Sequence, residues 1–284
     1  MAKKNINALS LFRLRSIFEQ KKWPIEDDSN EKSTFNRFCS LLSILSDDQQ
    51  KFILELTEHF EVIPIDMYMP AIVSATKQVI HDLRIGKSII KTLFFLPLIA
   101  PEDSGKIKSS TTVWYLCKSG VFNQNSFFNG FNFSFIDEIE LFSNIGKIDD
   151  KLLVLVDDFV GSGDTARSAV QDVVSKGVPK DKICIMSIAG LSDGIQELRN
   201  DGILTYCDKV LHSGISSRYQ ANEVSNKMKM MNEIESAIHV SKKYAFGYRQ
   251  SEGLVKLIRT PNNTFPIYWF EVKKHNHLSP FPRN

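Results

Sequence analysis

Cysteine is scarce in this 284-residue chain. Cys39, Cys117, Cys184 and Cys207 lie far apart and form no CxxC or Cys/His spacing, which argues against a zinc site and reads as buried or unpaired thiols. Long apolar runs are missing as well: the longest, near Leu93 to Ala100, falls far short of the roughly 18 residues that a membrane-spanning helix needs. An excess of one charge is also absent. With 35 Lys+Arg against 33 Asp+Glu, bulk electrostatics give no support for a polyanion partner. Neither an internal repeat nor a low-complexity tract is present. The 43% hydrophobic and 24% charged residues, with only 10 Pro and 14 Gly, exclude wholesale disorder and a collagen-like repeat. The basic N-terminus, Met1 to Asn7, is followed by no apolar stretch with a small-residue cleavage site, so the expected compartment is the reducing cytoplasm. There, Asn262-Asn263-Thr264 would not act as a glycan acceptor.

What remains is a globular chain long enough for one large domain or two small ones. From Ser33 to about Lys87 the pattern is helical. Phe35, Phe38, Leu41, Leu42 and Leu45 recur at helix-face spacing, Ser46 with Gln49 forms a capping box before Phe52, Ile53 and Leu56, and Pro70 can open a further helix. From Lys91 the period changes to short apolar runs: Thr92 to Ile99, Leu152 to Val156, Ile183 to Ile188 and Leu204 to Leu211. Between the last three lie helical segments, Thr165 to Lys176 and Ser192 to Asn200, each stopped by glycine. This alternation predicts an α/β fold with a parallel sheet flanked by helices. The expected organisation is a helical N-terminal region over residues 1–88 and an α/β domain over 89–284, with 219–284, including a helix from Gln220 to about Val240, as its elaboration.

Chemistry concentrates in one segment, Leu152-Leu-Val-Leu-Val-Asp157-Asp158-Phe-Val-Gly161-Ser162-Gly163-Asp164-Thr165. An apolar strand ends in two adjacent carboxylates, passes a glycine-rich turn and enters a helix. Free backbone N–H groups, the positive end of a helix dipole and the hydroxyls of Ser162 and Thr165 then surround one point, suited to a phosphate. Carboxylates beside a phosphate need a purpose, such as sugar hydroxyls or a bound Mg²⁺, and a phosphorylated sugar meets both demands. A P-loop would need a lysine after the glycines, and a dinucleotide fingerprint a third glycine; both are missing. A plain structural cap remains open for the acid pair, but the C-terminal end of a buried strand is where open α/β sheets bind ligands.

The segment resembles the phosphoribosyl-pyrophosphate (PRPP) motif of type I phosphoribosyltransferases, in which an acidic pair contacts the ribose hydroxyls and the following turn holds the 5′-phosphate. The resemblance implies a Rossmann-like parallel sheet, catalytic roles for Asp157 and Asp158 at the ribose, and a 5′-phosphate held by Gly161, Ser162, Gly163, Asp164 and Thr165. Ser162 stands where threonine is usual and preserves the hydroxyl. The cofactor implied is Mg²⁺, held mainly by the ligand and in part through Asp157 and Asp158. In the same family an early strand ends in a pyrophosphate loop, which would fall on Ser104, Gly105 and Lys106 after the run Leu96-Pro-Leu-Ile-Ala-Pro101-Glu-Asp103; an ordinary strand-end turn is the equal alternative. Ser109 to Thr112 follow, as a lid or as the start of a helix.

In the tail, Gly247-Tyr248, Thr260-Pro-Asn-Asn-Thr-Phe-Pro-Ile-Tyr-Trp269 and Pro280-Phe-Pro-Arg283 read first as tightly fixed structural turns. Together with Pro101 to Lys106, these words also resemble phosphoribosyltransferase-like proteins of bacterial conflict and anti-phage systems, some beside retrons. That resemblance implies an effector that transfers phosphoribose to an unknown acceptor. A sensor that binds PRPP without turnover, or a scaffold subunit of a defence complex, is the alternative. Protein partners, a retron reverse transcriptase with its nucleic acid, and homo-oligomerisation stay open, and no membrane partner is expected. The pair His275/His277 has metal-like spacing but reads as solvated near the chain end, and His212 reads as a surface-loop residue.

Overall fold

The computed structural model of the chain describes residues 6–26, 30–143, 149–271 and 278–283. In chain order the elements are α1 (Ala8–Lys21), α2 (Thr34–Leu42), α3 (Asp47–Glu58), β1 (Glu61–Val62), α4 (Tyr68–Ile85), β2 (Thr92–Pro97), α5 (Ser109–Lys118) and β3 (Asn132–Phe135). They continue with α6 (Ile139–Ser143), β4 (Lys151–Val160), α7 (Asp164–Ser175), β5 (Ile183–Leu191), α8 (Ser192–Asn200), β6 (Leu204–Leu211), α9 (Ala221–Ala237) and β7 (Val255–Lys256). Two compact units result: Pro64–Leu211, and Met1–Ile63 together with His212–Asn284.

The unit Pro64–Leu211 is built on a five-stranded sheet in the order β3-β2-β4-β5-β6, parallel throughout. Its central strand is β4. Residues 152–156 of β4 and all of β5 are buried, which is why they read as unbroken apolar runs and not as an alternating pattern: both faces of the sheet are covered. On one face Leu153, Leu155, Ile183 and Ile185 share a core with Ala166, Ala169, Val170 and Val173 of α7 and Ile195 and Leu198 of α8. The other face carries α4 and α5. There Thr76 Oγ1 meets Met186 Sδ at 3.1 Å, Gln78 Nε2 donates to the Cys207 carbonyl at 2.9 Å, and the Tyr206 hydroxyl donates to Asp82 at 3.0 Å. Phe95, Phe122 and Phe133 stack beyond them, with centroids 5.2 and 4.5 Å apart.

The second unit holds α1 to α3, α9 and the short parallel pair β1 and β7, in which Glu61 faces Val255. The Ser46/Gln49 capping box is formed: Ser46 Oγ accepts from the Gln49 amide and Gln49 Oε1 accepts from the Ser46 amide at 3.1 Å. A cap of this kind stabilises a helix by about 1 kcal/mol. The core is aromatic. Phe60 stacks on Phe281 at 4.8 Å, Phe38 meets Tyr268 at 6.2 Å, and the buried Tyr268 hydroxyl lies 3.0 Å from Thr57 Oγ1. The turn at Asn262–Thr264 is structural: Asn262 and Asn263 carbonyls accept from the Tyr248 and Gly253 amides, and Thr264 Oγ1 donates to the Val255 carbonyl.

Several expectations change. The division does not fall between residues 88 and 89. Helix α4 packs on the sheet through Thr76, Gln78 and Asp82, and His212–Asn284 shares its core with the N-terminal helices, so the tail is not an elaboration of the sheet unit. Strand β4 runs on to Val160 instead of ending at Val156, and β3 is an additional strand. Pro70 sits in the first turn of α4, which begins at Tyr68. No disulfide joins the four cysteines, and Cys117, Cys184 and Cys207 are buried. No helix among the described residues is long and apolar enough to cross a membrane. Residues 1–5 and the pair His275/His277 lie outside the described residues.

Candidate functional site

All five strands point the same way, so their C-terminal ends form one edge, and β4 delivers its carboxylates to the middle of that edge. Asp157 lies in register with Ser187 of β5. Asp158, one residue on, is buried at 6% exposure and turns to α4, where its Oδ2 accepts from the Tyr68 hydroxyl at 3.5 Å. Asp157 Oδ1 accepts twice, from the Asp158 amide at 2.8 Å and from Ser109 Oγ at 3.2 Å. Ser109 is the first residue of α5, so Ser109 to Thr112 form the start of a helix.

Burial and the neighbouring Asp158 charge push the Asp157 carboxyl well above the usual carboxylate range, against the pull of the Ser109 hydroxyl. Burial raises Asp158 as well, while hydrogen bonds from Ser109 and Tyr68 oppose the rise. Two adjacent carboxyls that resist joint ionisation are primed to exchange protons with hydroxyls or to accept a cation. The pair does not cap α7, which begins with no side-chain cap.

After Val160 the chain turns through Gly161 and Ser162 to Gly163, whose φ of +80° is the left-handed conformation glycine adopts most easily. Helix α7 then starts at Asp164. The Asp164 carboxylate faces Arg167 Nη1 at 3.3 Å, so its side chain is directed along the helix. Arg167 Nε also donates to Asp201 Oδ2 at 2.7 Å and Nη2 to Glu197 Oε2 at 3.4 Å, which clips the start of α7 to the end of α8. Ser162 is half-buried and Thr165 exposed, and the Ser162 amide donates to no acceptor among the described residues. Unpaired N–H groups at the positive end of a 12-residue helix are suited to an anion.

The second expected cluster follows β2, the strand next to β4. Residues Pro101–Asp103 form a single tight turn beside α7, and Ser104, Gly105 and Lys106 are exposed after it. Lys106 Nζ lies 2.7 Å from Asp103 Oδ1 and Lys108 Nζ 2.6 Å from Oδ2, so the two ammonium groups hold the Asp103 carboxyl low and are themselves paired inside the loop. Tyr68 and Ser187 carry no sequence motif, and Ser109 is expected only as part of a lid or the start of a helix. The Ser187 hydroxyl is buried beside Asp157 and has no hydrogen-bond partner among the described residues. No group of three or more His, Cys, Asp or Glu side chains among the described residues is placed to hold a metal by itself.

A parallel sheet with an acid pair on its central strand and a glycine turn at a helix N-terminus is the arrangement expected of the phosphoribosyltransferase motif. A family model, PRTase-CE, matches residues 27–283. The chain belongs to the PRTase-CE family, which is phosphoribosyltransferase-like. No curated protein matches it. The PRTase-CE match spans both compact units, and the acid pair, the glycine turn and the Ser104–Lys106 loop all lie inside it. Its sheet unit is accordingly a Rossmann-like α/β structure of the phosphoribosyltransferase kind.

Proposed function

We propose that this PRTase-CE protein binds PRPP with Mg²⁺ at the C-terminal end of β4 and transfers the phosphoribosyl group to an acceptor. The observation that carries the reading is the adjacency, on nine consecutive residues, of a raised-pKa acid pair and a glycine turn that opens α7. Asp157 and Asp158 accept from the ribose 2′ and 3′ hydroxyls. Gly161 to Thr165 surround the 5′-phosphate with backbone N–H groups and the Ser162 and Thr165 hydroxyls, an arrangement the helix dipole favours. Ser104, Gly105 and Lys106 take the pyrophosphate.

In the reaction the bond from ribose C1 to the pyrophosphate oxygen breaks, pyrophosphate leaves with the electron pair, and the acceptor atom forms the new bond to C1 and passes its proton to the departing pyrophosphate or to water. The residues present fit Mg²⁺ as a ligand-carried ion: a hard cation takes carboxylate oxygens together with substrate oxygens, and Asp157 and Asp158 supply two carboxylates but no complete cage. Bound there, Mg²⁺ would neutralise pyrophosphate charge. The chain's own contribution is positioning: ribose and phosphate are fixed while charge separates at C1. The resemblance of the tail to proteins of conflict systems supports an effector role in anti-phage defence, in the cytoplasm and with protein partners.

One observation favours a second reading, a PRPP sensor without turnover. Lys106, the cation expected to take pyrophosphate, is engaged by Asp103 within its own loop, as is Lys108. Pyrophosphate release from PRPP in the presence of nucleobases, nucleotides or nucleic acid decides between them. Release that vanishes in Asp157→Asn/Asp158→Asn supports transfer. Binding without release supports the sensor, and neither binding nor release refutes both.

A further inference from the structure

Gly194 occupies the third position of α8, a helix of nine residues that begins with no side-chain cap. Glycine is the poorest helix former after proline, so its place there calls for a reason. Its backbone is not in the left-handed region, so conformational freedom is not that reason. Packing is. A Cβ at Gly194 would overlap the Gly161 carbonyl oxygen and lie 2.9 Å from the Gly161 carbonyl carbon and 3.2 Å from that of Ser162. Backbone rests on backbone at this point, and no rotamer change could make room. Further along the helix, the Arg167 contacts with Glu197 and Asp201 hold the C-terminal half of α8 to α7, and Leu198 lies against Gly163, so α8 forms a fixed floor under the glycine turn.

The consequence for the turn follows from peptide geometry. The Gly161–Ser162 peptide is trans and planar, so its C=O and N–H point in opposite directions. With the carbonyl directed at Gly194, the Ser162 N–H is directed away from α8, and it donates to no acceptor among the described residues. We propose that Gly194 is a positioning residue for the site: by letting α8 seat against the Gly161 carbonyl it aims the Ser162 amide at the bound 5′-phosphate. This inference rests on reading Gly161 to Thr165 as a phosphate cradle and adds the residue that sets the cradle's orientation. Gly194 touches no ligand and acts through the backbone of the glycine turn, above all the Gly161 carbonyl.

The test titrates the full-length protein with two separate probes, ribose 5-phosphate and magnesium pyrophosphate, in the wild type, Gly194→Ala and Gly190→Ala. Gly190 is the packing control. A Cβ there would lie 2.9 Å from Ile195 Cδ1, a side-chain end on α8 that can move, and 3.3 Å from Val160 Cβ, and its three nearest neighbours include no atom of Gly161 to Gly163. Gly194→Ala is expected to weaken ribose 5-phosphate about tenfold or more, the loss of one hydrogen bond to a charged group, and to leave pyrophosphate within about twofold. Gly190→Ala is expected to lower the melting temperature and leave both affinities within about twofold. Gly194→Ala binding ribose 5-phosphate like the wild type, or losing both probes equally, overturns the proposal. Wild-type protein that binds neither probe refutes the cradle itself, and the inference falls with it. If Gly194→Ala does not fold, the amide resonance of Ser162 in ¹⁵N-labelled wild type decides. A shift on adding ribose 5-phosphate supports the assignment, and binding that leaves this resonance in place overturns it.

Discussion

The Ser109 hydroxyl donates to Oδ1 of Asp157 at 3.2 Å, joining the first residue of α5 to the acid pair of the central strand. This hydrogen bond favours the ionised form of a carboxyl that burial and Asp158 push the other way. Ribose hydroxyls need carboxylate acceptors, so PRPP affinity is expected to rise with pH as the pair gives up its proton. Ser109→Ala removes the opposing pull and moves that rise to higher pH, with an affinity loss of about 3- to 10-fold near neutrality. Calorimetric titration with PRPP at a series of pH values measures both effects.

The acid pair also has a stability signature. Both folded-state pKa values are raised, so the contribution of the pair to stability is full below the unfolded carboxylate range and is lost as pH rises through the folded values. Asp157→Asn/Asp158→Asn escapes that loss. Its melting temperature is expected to exceed that of the wild type at pH 8 and to approach it at pH 4, and thermal denaturation at the two pH values checks the sign.

Glu235 makes a parallel case in the other unit. It is 2% exposed, accepts from the Phe246 amide at 2.9 Å through Oε2, and its Oε1 has no hydrogen-bond partner among the described residues. Burial pushes its pKa up to about 8. A raised carboxyl stabilises the fold fully below its unfolded value near 4.5 and loses that contribution as pH passes 8. Glu235→Gln keeps an acceptor for Phe246 and carries no charge, so relative to the wild type it gains on the order of 4 kcal/mol between pH 4 and pH 9. Urea denaturation at the two pH values measures the difference.

Tyr268 tests whether the tail and the N-terminal helices form one core. Its buried hydroxyl lies 3.0 Å from Thr57 Oγ1 and 3.3 Å from the Ile53 carbonyl. Thr57 Oγ1 keeps its own bond to Ile53 when the tyrosine hydroxyl is removed. Tyr268→Phe is therefore expected to cost only about 1 kcal/mol, whereas Tyr268→Ala opens a cavity in the aromatic cluster and costs about 3–5 kcal/mol.

Strand β4, its turn and α7 were legible in the sequence because they are consecutive and each carries its own signal: a buried run, an acid pair, glycine, then helical spacing. Strands β5 and β6 and helices α7 and α8 were legible for the same reason. Strand β3 was not, since Asn132–Phe135 is a four-residue edge strand with no fully buried residue. Helix α1 was hidden because Leu14, Ile17 and Phe18 are buried while Leu9 and Phe12 are exposed, which blurs its apolar stripe. The discontinuous unit depends on contacts such as Phe60 with Phe281, across 221 residues of chain, and no local pattern encodes them. Tyr68 and Gly194 escaped notice likewise: one meets Asp158 and the other Gly161 only after the helices pack. A glycine inside a short helix was the one available hint for Gly194.

The account stands on the acid pair and the glycine turn binding PRPP. Its most direct test is calorimetric titration of the wild type with PRPP, with and without Mg²⁺, beside Asp157→Asn/Asp158→Asn. The account predicts magnesium-dependent binding in the wild type, weakened about 100-fold or more in a folded double mutant that has lost both charged hydrogen-bond acceptors. Absence of binding in the wild type, or equal binding by the mutant, would contradict it.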